Sequence, residues 1–202
     1  MADKTENSYN LERVADLLFE FGMLKNIPRS GFAFLGAMRE SVAEHSWRVA
    51  VLGFVLARLA KADPAQVVFL CLFHDLHEAR TGDFNYVNHR YNSADARGAL
   101  SDALEGSGFG REILGYWDRL ERRDSLEATL AHDADQLDLI LNLRSEEAKG
   151  NAFATEWLKS ALKRLKSPEA RELAGIVLKT DPNAWWYGRF DEGWWINRGR
   201  ED

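Results

Sequence analysis

The chain has 202 residues, 46% of them hydrophobic, and a formal net charge of −6 with a pI near 5.5. That length and apolar content suffice for one domain with a real core. The acidic balance excludes a general nucleic-acid binder, whose affinity rests on neutralising phosphates, and no apolar run reaches the roughly 18 residues that a membrane-spanning helix requires.

The opening "MADKTENSYN" is polar and lacks the apolar core of a signal peptide. Residues 1–9 are expected to fray. With Cys71 as the single cysteine, no internal disulfide can form, and a cytoplasmic setting is expected. "NLERVADLLFEFGML" spaces Leu11, Val14, Leu17, Leu18 and Phe21 as a helix, with Asn10 as its N-cap. "NIPRSGFAFLGAM" carries Pro and Gly and reads as a connecting loop. "SVAEHSWRVAVLGFVLARLAKA" predicts a long helix starting near Ser41.

"DPAQVVFLCLFHDLHEA" opens with Asp63 as N-cap and Pro64 at the first helical position. Its apolar run, Val67 to Phe73, suits a deeply buried helix in which Cys71 is a small hydrophobe. "RTGDFNYVNHRYN" breaks the pattern. Further helices are predicted at 93–106, 110–122, 125–148, 151–166 and 168–179. The final stretch is irregular and rich in rings: Trp185, Trp186, Trp194 and Trp195 suit either packing onto the helical body or a subunit contact. The expectation is one all-α domain over 1–202, with residues 180–202 as an aromatic tail.

Within it, "FHDLHEARTGD" gathers two histidines, two aspartates and a glutamate into eleven residues. Metal sites in helical bundles draw ligands from several helices. His45, His74, Asp75 and Asp135 are the candidates, and two imidazoles with two carboxylates suit a divalent transition ion. Asp133 and Asp138 compete with Asp135 for the last place. The position just before "QLD" favours Asp135, leaving Asp138 a supporting role.

"LKNIPRSGF", "ESVAEHSWRVA", "HDLHEARTGD" and "DADQLD" occur in the order seen in the HD-domain phosphohydrolases, and most closely resemble the branch of bacterial 5'-deoxynucleotidases and oxetanocin-related enzymes. The resemblance covers about residues 10–148. It implies an all-helical HD-type bundle and one divalent metal ion (Mn, Co, Fe, Ni, Zn or Mg) held by His45, His74, Asp75 and Asp135. It also implies a small nucleotide substrate and a homo-oligomer, a dimer or larger. Glu78 and Asp83 match the acidic pair beside metal and phosphate, and Arg29 matches a nucleotide-holding arginine. The chain departs from the pattern at Phe32, where the family often has a sugar-screening tryptophan; at His132, commonly lysine; and at His77, usually small or apolar. His89 and Arg90 fall near a phosphate-directed lysine of many relatives. His77, His89 and His132 read as peripheral.

The chemistry accounts for these residue types. Phosphomonoester hydrolysis needs an activated water and positive charge on the phosphate oxygens. Glu78, four residues after His74, takes or orients the water's proton. Asp83, after the turn-forming Gly82, protonates the leaving oxygen if crowding raises its pKa. Arg29 offers a fork of donors to phosphate. The expected activity is release of phosphate from deoxynucleoside 5'-monophosphates. A deoxynucleoside triphosphohydrolase is the alternative, favoured by a pocket with extra basic groups beyond the first phosphate. Arg29, Arg80, Arg90 and Lys25 leave that open. A non-catalytic nucleotide-binding module is the third reading.

Overall fold

The computed structural model describes residues 9–36, 39–188 and 192–197. The fraying expected of residues 1–8 lies outside these. Among the described residues every regular element is a helix, apart from one isolated bridge between Pro28 and Ser41. None is long and apolar enough to cross a membrane.

Helix α1 (Leu11–Gly22) is capped as expected, with Asn10 Oδ1 accepting from the Arg13 amide at 3.1 Å. A 3-10 turn, Met23–Asn26, leads into the stretch read as a loop, which itself contains a second, Ser30–Leu35. Phe32 and Leu35, three apart, are both buried on one side of the second turn. Bonds from the Arg29 amide to the Glu40 carbonyl (2.8 Å) and from the Val42 amide to the Ile27 carbonyl (2.9 Å) tie this segment to the next helix. Arg29 is thereby fixed in space.

Helix α2 (Val42–Ala60) starts at a capping box, with Ser41 Oγ accepting from the Glu44 amide and Glu44 Oε2 from the Ser41 amide at 2.7 Å. Helix α3 (Pro64–Phe73) runs back along it after Asp63 caps its start. The two approach closely at Gly53. A methyl there would sit 2.5 Å from Cys71 Sγ. Cys71 is buried, and burial pushes its thiol well above the usual range, which suits a packing role.

The helix expected to continue to about residue 79 stops at Phe73. His74 turns its Nδ1 back onto the Cys71 carbonyl, and 74–77 form turns before the short α4 (Glu78–Thr81). "NYVNHRY" forms another short helix, α5 (Tyr86–Tyr91), capped by Asn85. Then come α6 (Ala96–Leu104), α7 (Gly110–Arg122), α8 (Leu126–Ala148), α9 (Ala152–Leu162) and α10 (Pro168–Val177), near the predicted spans but shorter at the ends of 93–106, 151–166 and 168–179. Helix α11 (Glu192–Ile196) lies in the tail, where Trp186 and Trp195 meet at 5.4 Å and Trp194 and Trp195 at 4.7 Å between ring centres.

Helix α8 is the axis of the molecule. It packs against α2, α3, α7, α9 and α10 and is buried on several sides. Its polar side chains therefore need partners. Asp133, 1% exposed, accepts from the Lys166 and Ser167 amides (2.8 and 2.7 Å) and from Ser167 Oγ, anchoring the start of α10. Asn142 donates to Glu40 at 3.0 Å, and Lys149 donates to buried Glu146 at 2.8 Å. A second, smaller core joins α1, α6 and α7 through Leu17, Leu100, Leu104 and Ile113.

Candidate functional site

The crossing of α2, the end of α3 and the middle of α8 places His45, His74, Asp75 and Asp135 together. The Nε2 atoms of His45 and His74 are 3.2 Å apart. Asp75 Oδ2 lies 3.0 Å from His74 Nε2 and 3.6 Å from His45 Nε2, and Asp135 Oδ1 lies 3.3 Å from His45 Nε2. Nitrogen or oxygen atoms of His45, His74 and Asp135 all fall within 4.8 Å of one another. Asp75 reaches both rings from beside them.

The second nitrogen of each ring is already engaged. His45 Nδ1 donates to Asp138 Oδ2 at 2.8 Å, and His74 Nδ1 donates to the Cys71 carbonyl at 2.6 Å. An acceptor on Nδ1 holds the proton there and turns the Nε2 lone pair toward the cluster. Two such lone pairs 3.2 Å apart repel unless a proton or cation lies between them. The donor atoms of His45, His74 and Asp135 thus suit a divalent transition ion, with Asp75 beside them.

Electrostatics agree. Burial works against a charged His45, but hydrogen bonds to Asp135 and Asp138 outweigh it, and its pKa is raised to about 10. Asp75 and Asp135 are half-buried, and although loss of hydration works against their charge their carboxyls are held well below the usual range, Asp75 chiefly by His74 and Arg29, and Asp135 by His45 and His74. Without an ion, the proton on His45 offsets the carboxylates. Metal binding competes with that proton.

Asp138 is 1% exposed and sits behind His45, where Arg48 forms a close ion pair with it. Arg48 also meets Glu40 at 2.9 Å. Glu40, His45 and Asp138 could geometrically ligate an ion, but Arg48 and Asn142 already compensate this group. Asp133 is occupied by the α10 anchor. Of the three aspartates in "DADQLD", Asp135 is the one facing both imidazole Nε2 atoms.

Glu78 is 7% exposed, and its Oε2 is buried without a hydrogen-bond partner. Loss of hydration, together with Asp75 and Asp83 nearby, pushes its pKa up to about 9. No continuous helix joins it to His74, because 74–77 are turns. The bond from the Glu78 amide to the Asp75 carbonyl (3.0 Å) sets its position instead. Arg29 Nη1 donates to Asp75 Oδ2 at 3.1 Å, and its Nε stands 4.0 Å from Asp83 Oδ2. Asp83 Oδ2 accepts from the Ser30 amide at 2.7 Å, and Ser30 Oγ donates to the Asp83 carbonyl at 2.9 Å. Asp83 therefore clamps the Arg29 segment.

Two clefts flank the cluster and share Asp135 and Gln136. The smaller, about 230 Å³, is lined by Arg29, Phe32, Glu78 and Asp83 at one end and by Tyr86 and Trp157 at the other. The larger, about 900 Å³, is bordered by His74 and Asp75 and by His132, Arg123, Lys163 and Lys166. Phe32 is 5% exposed and belongs to the main core while showing an edge to the smaller cleft. His132 binds the Leu120 carbonyl at 3.2 Å, His77 lies edge-on to Trp117, and His89 lies edge-on to Phe84. None of these three histidines joins the central cluster.

The sequence did not point to Ser30, Arg48, Gln136, Tyr86, Trp157 or the basic border. Arg48 had a signal, since it sits three residues after His45 on the same helix face. Trp157 had none, because only the fold brings α9 beside the cluster.

A family model described as "HD domain" matches residues 21–176. The chain belongs to the HD domain family, and its class is that of metal-dependent phosphohydrolases. Among similar proteins are two named 5'-deoxynucleotidase HDDC2. The one from Danio rerio is 28% identical over 138 residues, covering 64% of this chain and 68% of the relative. The one from Dictyostelium discoideum is 29% identical over 134 residues, covering 59% and 70%. A conserved hypothetical protein from Pyrococcus furiosus has a similar structure, with a TM-score of 0.69 and 28% identity, covering 82% of this chain and 99% of that one.

Proposed function

We propose that the protein hydrolyses deoxynucleoside 5'-monophosphates to the nucleoside and phosphate. The observation that carries this reading is the smaller cleft, where Arg29, Glu78, Asp83 and Asp135 share one wall beside the paired imidazoles. An arginine fork, a buried carboxyl and a cation-binding cluster are what a phosphate monoester needs for binding, proton transfer and charge. The two 5'-deoxynucleotidase relatives favour the same substrate class.

In this reading His45, His74, Asp75 and Asp135 hold one divalent ion, and Asp138 and the Cys71 carbonyl orient the two rings. When bound, the ion supplies charge for phosphate oxygens and makes nearby water more acidic. Arg29 binds the phosphate and is steadied by Asp75 and Asp83. Glu78 stands within the same wall with an unpartnered oxygen, so it exchanges a proton with the reacting groups. It takes the proton-donor part that sequence alone gave to Asp83. Water adds to phosphorus, the bond from phosphorus to the 5' oxygen breaks, and that oxygen leaves with a proton.

The larger cleft favours a second reading, a triphosphohydrolase. Arg123, Lys163 and Lys166 gather there, and among the described residues none of the three forms an ion pair. In a chain of net charge −6 such a border attracts additional phosphates. A product-resolved assay with dNMPs, NMPs and dNTPs, each with several divalent metals, separates the two. Inorganic phosphate from dNMPs supports the first reading. Triphosphate from dNTPs, with dNMPs inert, supports the second. No hydrolysis of any nucleotide defeats both.

A further inference from the structure

The smaller cleft has a second end that phosphate chemistry does not use. Tyr86, at the start of α5, and Trp157, on α9, form a corner there, with ring centres 6.4 Å apart and planes at 83°. Leu139 of α8 and the edge of Phe32 add apolar surface between them. Tyr86 is 56% exposed, a large figure for a ring bordering a core. It is nevertheless braced, because Arg164 lies over its ring at 5.0 Å and donates a short hydrogen bond to its hydroxyl. Trp157 is braced in turn by the edge of Phe34 at 6.4 Å. Aromatic rings held in place by neighbours, but left at a cleft wall, are preorganised for a flat partner.

The brace also connects to the cluster. Arg164 Nη1 donates to Gln136 Oε1 at 3.2 Å, and Gln136 Nε2 donates to Asp135 Oδ2 at 2.8 Å. Tyr86 is thus placed relative to Asp135 by a continuous chain of bonds. At about 230 Å³ the cleft is smaller than the usual 300–1,000 Å³ of drug-sized sites, so it suits one ring system and a sugar. The same cleft thus offers an anion-handling group of side chains and a pair of rings.

We propose that Tyr86 and Trp157 form the nucleobase subsite, recognising the flat face of the base of a nucleotide whose phosphate lies at Arg29 and Glu78. This rests on the nucleotide reading above. The subsite makes the base contribute binding that a phosphorylated sugar lacks.

The test compares kcat/KM for dAMP and 2-deoxyribose 5-phosphate, in which an anomeric hydroxyl replaces the base. Wild-type protein prefers dAMP. Trp157→Ala raises KM for dAMP by roughly 5- to 150-fold, the span of base–aromatic stacking. Its kcat, and its kinetics on the sugar phosphate, stay unchanged. Trp157→Phe keeps most of the preference. Trp157 also touches the core, so Tyr86→Ala, at an exposed position, provides the same readout if Trp157→Ala melts early. Equal losses on both substrates in Tyr86→Ala and Trp157→Ala, or no loss on either, overturn the subsite. A wild-type enzyme that gains nothing from the base overturns it as well. A wild-type protein that hydrolyses neither compound instead removes the monophosphate reading on which the subsite rests.

Discussion

Glu78→Gln separates the catalytic and structural consequences of one buried carboxyl. Glutamine has nearly the same size and cannot ionise. In the unfolded chain the Glu78 carboxyl titrates near 4.5, and in the fold it is pushed up to about 9 by loss of hydration and by Asp75 and Asp83. An acid with a raised folded pKa binds its proton more tightly when folded. Its contribution is therefore fully present below pH 4.5 and is lost as pH rises toward 9. At pH 8 the loss spans about 3.5 units at ~1.4 kcal/mol each, or roughly 5 kcal/mol. Glutamine escapes this cost. Urea unfolding of chelator-treated protein is expected to show little difference between wild type and variant near pH 5, and a variant stabler by several kcal/mol at pH 8. Titration of His45 is common to both proteins and cancels in the difference. Metal-loaded Glu78→Gln is expected to lose about 10²- to 10⁴-fold in kcat, the usual contribution of a positioned acid or base. A stability difference that does not change with pH, or a near-normal kcat, would refute this account of Glu78.

Four further outcomes follow from the same geometry. His74→Ala and Asp75→Ala are expected to lose the ion and turnover together, measured by elemental analysis of the purified variants. Asp138→Asn removes the negative charge 2.8 Å from His45 Nδ1, leaves one oxygen to serve both His45 and Arg48, and is expected to weaken metal affinity by about 10- to 100-fold, read by competition with a chromogenic chelator. Arg29→Ala is expected to lower kcat/KM for dNMPs and NMPs alike, since the guanidinium is assigned to phosphate and not to the sugar. Gly53→Ala places a methyl 2.5 Å from Cys71 Sγ at the α2–α3 crossing and is expected to cost about 1–3 kcal/mol, seen as a lower Tm.

The oligomer implied by the family resemblance has a surface to test. Along α2, Trp47, Val51 and Phe54 are exposed at helical spacing. We propose this stripe as the contact between copies, and Val51→Glu with light scattering tests it.

Local chemistry wrote much of the structure directly into the sequence. Asn10 and Asp63 cap the helices they were expected to cap, and Ser41 caps the helix expected to start near it, because a cap needs only a side chain and the next three amides. The His-Asp pair was legible because it follows an apolar helix whose burial was itself evident. Other features depended on contacts remote in sequence. Whether Asp133, Asp135 or Asp138 faces the imidazoles depends on the rotation of α8, and three carboxylates on one buried helix look alike until their partners are known. Ser167 and the Lys166 amide take Asp133, His45 and Arg48 take Asp138, and Asp135 is left at the cluster. An ordinary "TGD" turn carries no sign of the Ser30 amide, which meets Asp83 from 53 residues away. Trp157 and Tyr86 are separated by 71 positions and become neighbours only when α9 docks on α8. Capping and apolar periodicity act within a helical turn or two, so the sequence determines them. The facing of a polar side chain is decided by which distant groups satisfy it, and only the packed helices supply those.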